Sequence, residues 1–264
     1  MHDNVFDRYH FKQSLIHRLD PRVKLVVTVV FILSNALLPD GAWLAFAFCW
    51  LLILACNQLA KLGLGYSLKR SFVALPFALA AITAIFSIPG KSLGEWHFLW
   101  LTLVPTDAGV LRFVSILVRS WLSIQMAILL VATTQFPDLL HAFEHLRVPR
   151  ILTTIIAFLY RYMFVLTDEV FRLLRAREAR SAGLPGQKQG GSIVWRARVT
   201  GNMVGQLFLR SYERSDRIYN AMLSRGYSGE LRTLHAHNMI RSDWLVLNAT
   251  FGALVLIQLI GWIR

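Results

Sequence analysis

Five apolar runs, each close to twenty residues long, decide most of what this chain can become: residues 23–38, 42–60, 72–88, 110–134 and 244–263. At about 1.5 Å of rise per residue, about 20 apolar residues carry a helix across the hydrocarbon of a bilayer. A helix also satisfies all of its own backbone hydrogen bonds there. A sixth run, 151–166, contains Arg161 and passes straight into basic sequence, so the count is five or six. Hydrophobic residues make up 55% of the chain and mean hydropathy is +0.49. Both exceed what a typical soluble domain carries.

The charge fits the same picture. A net charge of +13 on a soluble chain would suggest nucleic acid. Here the basic residues are segregated from the apolar runs, as the positive-inside bias produces, and no nucleic-acid partner is expected. The arm 1–24 holds Arg8, Lys12, Arg18, Arg22 and Lys24, and the 61–70 loop holds Lys61, Lys69 and Arg70. The Pro39-Asp40-Gly41 turn holds no Lys or Arg, and 89–107 holds only Lys91. The N-terminus, the 61–70 loop and 135–238 are therefore expected in the cytoplasm. Five spans leave the C-terminus outside; six return it. The first 24 residues are charged and lack an apolar core, so no cleavable signal peptide is expected.

Residues 135–241 hold 16 of the 28 Lys and Arg but only 8 of the 15 acids. This stretch has helical structure written into it. Residues 137–146 place Leu139, Leu140, Phe143 and Leu146 on one face of a short helix. Pro149 opens a long helix through about Ala182, broken by Gly183-Leu184-Pro185-Gly186, and a second long helix runs from about Ile193 to Gly226. Both run from apolar to basic and end near glycine. Ala176, Ala179 and Gly183 recur at helical spacing on the first; Ala197, Gly201 and Gly205 do so on the second, with Ala221 among the small residues near its end. This predicts that the pair crosses and packs closely. Each helix then presents an arginine near its end, Arg180 and Arg225. A planar guanidinium can bind both oxygens of a partner's carboxylate. Basic residues in such places also face lipid headgroups or favour the helix dipole without any partner, and the pattern alone leaves both readings open. The expected fold is an all-α polytopic membrane protein of about five to six transmembrane helices with a cytoplasmic pair of long crossing helices. Its parts are an arm and four spans (1–134), a cytoplasmic domain (135–238) and a last span (239–264).

Other features carry less. Cys49 and Cys56 lie on one face of an apolar run and read as buried small hydrophobes. Gly183–192 is glycine-rich but lacks the G-x-x-x-x-G-K-[ST] pattern and follows a helix, so ATP is expected on partners. His141 and His145 share a helix face, His235 and His237 share a loop, and Met1-His2-Asp3 forms a tail; none has a third ligand nearby, and no metal is assigned to them. Arg112 and Arg119 sit inside a span, where charge is costly, facing a partner, a cavity or the headgroups. "FLWLTLV", 98–104, reads as a short strand or a membrane-surface segment. Few polar groups lie within the spans, which leaves an intramembrane enzyme only as a distant alternative.

Three stretches carry a family resemblance: "HRLDPRVKL" (17–25), "RAREARSAG" (175–183) and "ERSDRIYNAMLSRGYSGE" (213–230). The chain resembles the transmembrane T component of energy-coupling-factor (ECF) transporters, most closely the cobalt/nickel CbiQ type, over essentially its whole length. Ser181 stands where glycine is common and Ser224 where alanine is common; both keep the residue small. The resemblance implies a non-catalytic scaffold of a bacterial inner-membrane importer. Two cytoplasmic ABC ATPase subunits bind ATP and magnesium, and a CbiM-like S component binds the transported ion. The long helices become coupling helices seated in grooves of the ATPases. The implied contacts are Ala179, Arg180 and Ser181 on one helix and Ser224, Arg225 and Gly226 on the other. It implies no cofactor in this chain and a cobalt or nickel cargo linked to cobalamin biosynthesis. A T component serving a vitamin S component is the alternative.

Overall fold

A computed structural model describes residues 9–10, 12–74, 106–180, 192–229 and 239–263, with isolated positions between 76 and 91 and the backbone of 96–98 and 101–103. The chain divides into two compact units, 3–146 with 236–264, and 147–235.

The first unit begins with the one-turn helix α1 (Leu15–Arg18), capped by Ser14 Oγ, which accepts from His17 N at 3.3 Å. Helix α2 (Pro21–Leu37) has proline at its first position, and Asp20 caps it by accepting from Arg22 N at 2.8 Å. The Pro39-Asp40-Gly41 turn follows as its composition predicts, with Gly41 at φ 80°. Helix α3 (Trp43–Leu59) then runs back. Helix α4 (Leu64–Arg70) follows Gly63, also at φ 80°, and leads into a short 3-10 turn at Ser71–Ala74. The expected third span, 72–88, falls largely outside the described residues. Strands β1 (Trp96–Phe98) and β2 (Leu101–Leu103) pair antiparallel, Trp96 opposite Leu103, so the described residues of "FLWLTLV" lie in paired strands. Helix α5 (Asp107–Thr133) starts at Thr106, whose hydroxyl accepts from Gly109 N, and α6 (Phe136–His145) is the expected short amphipathic helix. Helix α9 (Arg241–Trp262) closes the unit. Its Asp243 accepts from Ile240 N at 2.9 Å and from Asp20 N at 3.4 Å, tying the starts of α9 and α2 together.

The core lies where α2, α3, α5 and α9 converge: Phe31, Phe46, Cys49, Ile53, Leu122, Met126, Leu254 and Ile257 are buried against one another. Large side chains pointing the other way, Leu33, Leu44, Leu245 and Leu256, are exposed. That inversion suits a bilayer as solvent. By length and composition α5 and α9 can each cross a membrane, and so can α7 of the second unit (Arg150–Arg180); α3 is apolar but shorter.

Polar groups tie these apolar helices, as membrane interiors favour. Asn35 Nδ2 donates to Arg119 O and Ser123 Oγ, both at 2.9 Å. Ser67 Oγ donates to Gln125 Oε1 at 3.1 Å and Gln258 Nε2 to Ser34 O at 2.7 Å. Lys24 is buried, its ammonium donating to the carbonyls of His17 and Thr133 at 3.1 and 3.0 Å. The two intramembrane arginines divide. Arg119 Nη2 donates to Leu38 O and Asp40 Oδ1, both at 2.7 Å, and Gly41 N donates to Ser115 Oγ at 3.0 Å. Helix α5 thereby clamps the α2–α3 turn. Arg112 reaches Asp40 only at 3.9 Å and is more than half exposed.

Candidate functional site

The second unit is two long helices, α7 (Arg150–Arg180) and α8 (Ile193–Ser224), of 31 and 32 residues and so about 45 Å each. Ser192 caps α8, its hydroxyl accepting from Trp195 N at 3.2 Å. The far end of α8 is closed by Gly226 at φ 81°. Gly226 N donates to Leu223 O at 2.9 Å and Tyr227 N to Met222 O at 3.0 Å. These are the paired bonds of a Schellman motif, which needs a left-handed residue and usually takes glycine. The motif brings an apolar residue back against the last turn, and Tyr227 and Met222 both line the same cleft. Arg225 is thus held at a fixed place, at the helix cap, with its side chain exposed.

Arg180 is the last described residue of α7 and is also exposed, as are Ala176, Ala179, Ala221 and Ser224. Ser224 Oγ donates back to Asn220 O at 2.9 Å. Ser181 and Gly183 lie outside the described residues, as do His235, His237 and the Met1-His2-Asp3 tail.

The helices meet along one seam. Glu169 Oε1 accepts from Arg210 Nη1 at 2.5 Å, while Glu169 Oε2 lies 3.5 Å from Arg172 one turn along the same helix. Beside this pair opens an apolar cleft of about 500 Å³, with Ile151, Phe158 and Leu166 on α7 facing Ser211, Ile218 and Met222 on α8. From the Glu169–Arg210 pair the cleft runs down the numbering of α7 and up that of α8, so the helices are antiparallel. Arg180 therefore lies about 16 Å beyond the pair on one side and Arg225 about 22 Å on the other, placing the two arginines on the order of 30–40 Å apart. They mark opposite ends of the arm.

The close approach expected at Gly201 and Gly205 is not made between these helices. Both glycines are exposed, and a Cβ built on either would meet nothing within 4 Å. At about 100° per residue Gly201 lies about 180° and Gly205 about 140° round α8 from Arg210, on the face turned from the seam. The seam is made by an ion pair and larger side chains. Sequence reasoning missed Glu169. Its spacing to Arg172 gave a local signal of a common kind, but Arg210, 41 residues on, could not be paired with it before the fold was known.

Apolar helices long enough to span, tied by buried polar contacts and joined to this two-helix arm, define a polytopic α-helical membrane protein. Comparison with known proteins makes the class particular. Residues 12–235 match the model of the CbiQ family, described as "Cobalt transport protein", and the chain belongs to that family. It is similar to the energy-coupling factor transporter transmembrane proteins EcfT of Lacticaseibacillus paracasei (29% identical, covering 98% of each chain) and Acidaminococcus fermentans (28%, covering 98% of this chain and 97% of that one). It is also 28% identical to an uncharacterized protein of Methanocaldococcus jannaschii, over 92% of this chain and 82% of that one. It is a multi-pass transmembrane T component of an ECF transporter, a non-catalytic subunit.

Proposed function

We propose that the exposed arginines at the two ends of the arm, Arg180 and Arg225, are the points where two cytoplasmic ABC ATPase subunits dock, and that the arm passes their ATP-driven movement to a membrane-embedded S component. The observation that carries this is the end of α8. A Schellman motif fixes the cap, and the guanidinium it fixes has no ion-pair partner among the described residues. A charge held in place and left unpaired suits a carboxylate brought by another chain. The separation of the two arginines suits one ATPase at each. Around them, Ala179 beside Arg180 and Ser224 and Gly226 beside Arg225 keep the approach free of bulk. Gly201 and Gly205, exposed on α8, leave room for a helix of another subunit.

The lysine and arginine distribution supports a cytoplasmic N-terminus and arm (135–238) in a bacterial inner membrane. ATP and magnesium belong to the ATPases in this reading. The cargo, cobalt or nickel, belongs to a CbiM-like S component; the family's description supports a metal ion over a vitamin.

The test is co-purification of the ATPase subunits with Arg180→Glu, Arg225→Glu and the double variant. Each single reversal weakens association about tenfold or more, since it sets like charges together, and the double variant loses it. ATPase recovered in full with the double variant would end the docking reading.

A further inference from the structure

A lever must be stiff, and this one lacks what usually stiffens a helix pair. Among the described residues, α8 buries no side chain, and α7 buries only Thr153, Thr154 and Glu169. No apolar side chain of either helix is buried. Instead of a packed seam there is an open apolar cleft, which fixes no unique angle between its walls. Glu169 stands out against this. It is 7% exposed, and its two oxygens are taken by arginines from different helices, Oε1 by Arg210 of α8 and Oε2 by Arg172 of its own helix. A charge-assisted hydrogen bond is short and directional, and it costs most to lose where the carboxylate is shielded from water.

We propose that Glu169 is a positioning residue for energy coupling: its carboxylate, gripped across the seam by Arg210, pins the angle between α7 and α8 and so fixes the spacing of the arginine-bearing ends. The Glu169–Arg210 pair lies between Arg180 and Arg225 along the arm. A push at either end therefore turns the whole pair about it. Without the pin, each helix answers its own ATPase, and the ends no longer move as one body. This deepens the docking reading, and its functional consequence rests on that reading; the pin itself does not.

The pin is tested by a pulsed-EPR distance between spin labels on Arg175→Cys and Val204→Cys, both exposed and outside the cleft, with Cys49 and Cys56 replaced by alanine. With Glu169 and Arg210 intact the distance distribution is narrow. Glu169→Gln and Arg210→Ala each broaden it about twofold or more, and the double variant is no broader than the broader single, as expected for two halves of one contact. Equal widths in all four proteins, or additive broadening, would overturn the pin. Arg210 is half-exposed, so its variant keeps the test alive if Glu169→Gln folds poorly. In the reconstituted complex, with cobalt ion as probe, Glu169→Gln keeps its ATPase subunits but hydrolyses about tenfold more ATP per ion taken up. Loss of the ATPase from this variant would instead make Glu169 part of the docking surface and refute the positioning role. The two readings fail separately. ATPase retained by the Arg180 and Arg225 variants ends docking and leaves the distances standing, whereas unchanged distances end the pin and leave docking standing.

Discussion

Gly226 places Arg225, and it does so through backbone conformation alone. At φ 81° any side chain is strained, although nothing lies within 4 Å of where a Cβ would sit. Gly226→Ala is therefore expected to cost about 1 kcal/mol by strain without any clash. The last turn of α8 frays or extends, and Arg225 leaves its place. ATPase co-purification falls, while the α5 clamp and the core of the first unit melt as before; unchanged co-purification would mean that the arginine needs no fixed cap. Such local devices were readable in the sequence because the signal and its effect are neighbours. Gly226 after Ser224-Arg225 and the Pro39-Asp40-Gly41 turn both sit where composition put them. Gly201 and Gly205 show the limit. Their spacing marked a stripe on one helix, but a stripe does not say which neighbour it faces.

Between elements, the clearest case is the α5 clamp. Arg119 and Asp40 lie 79 residues apart and neither alone points to the other, one a charge in a span, the other an acid in a turn. Only the fold makes them a pair. Arg119→Ala removes two hydrogen bonds, the charge-assisted one to Asp40 in the turn and the one to Leu38 O. The expected loss is about 1–3 kcal/mol, read as a lower melting temperature in detergent. Arg112→Ala, removing a long and exposed contact with the same carboxylate, should change stability by no more than about 0.5 kcal/mol. Equal losses would refute the division between them. The reading of 98–104 left strand and surface segment open for a related reason. Two three-residue strands are too short to show alternation, and their register was settled by pairing.

Across the first unit, the N-terminal arm is held by a histidine that prefers to be neutral. His17 shares hydrogen bonds with Ser14 Oγ at 2.7 Å and His10 O at 3.0 Å. Burial pushes its pKa below the ordinary value near 6.5; the His10 carbonyl pulls partly back, and the Lys24 ammonium pushes it down further. The unfolded chain thus binds this proton more readily than the folded one. The stabilisation is complete above about pH 6.5 and drains away as pH falls through that value toward the lower folded pKa. Melting temperature should drop between about pH 7.5 and 5.5, and His17→Gln should flatten that drop. An identical slope in the variant would place the effect elsewhere. The apolar runs made the α-helical membrane class legible from the start, because length and hydropathy answer directly to the thickness of a bilayer. The interior pinning was not legible, since it depends on which runs touch.

The two halves of the chain should also keep different time. The first unit closes its helices around a buried core, so its amides can exchange with solvent only through rare openings. The arm of α7 and α8 has no such core. In the isolated subunit its backbone protons are expected to exchange orders of magnitude faster than those of α2 and α5. Partners seated along it would slow that clock, because what binds only the closed form holds it closed. Deuterium uptake along residues 150–224 would then report assembly directly, the arm borrowing its permanence from the proteins it serves.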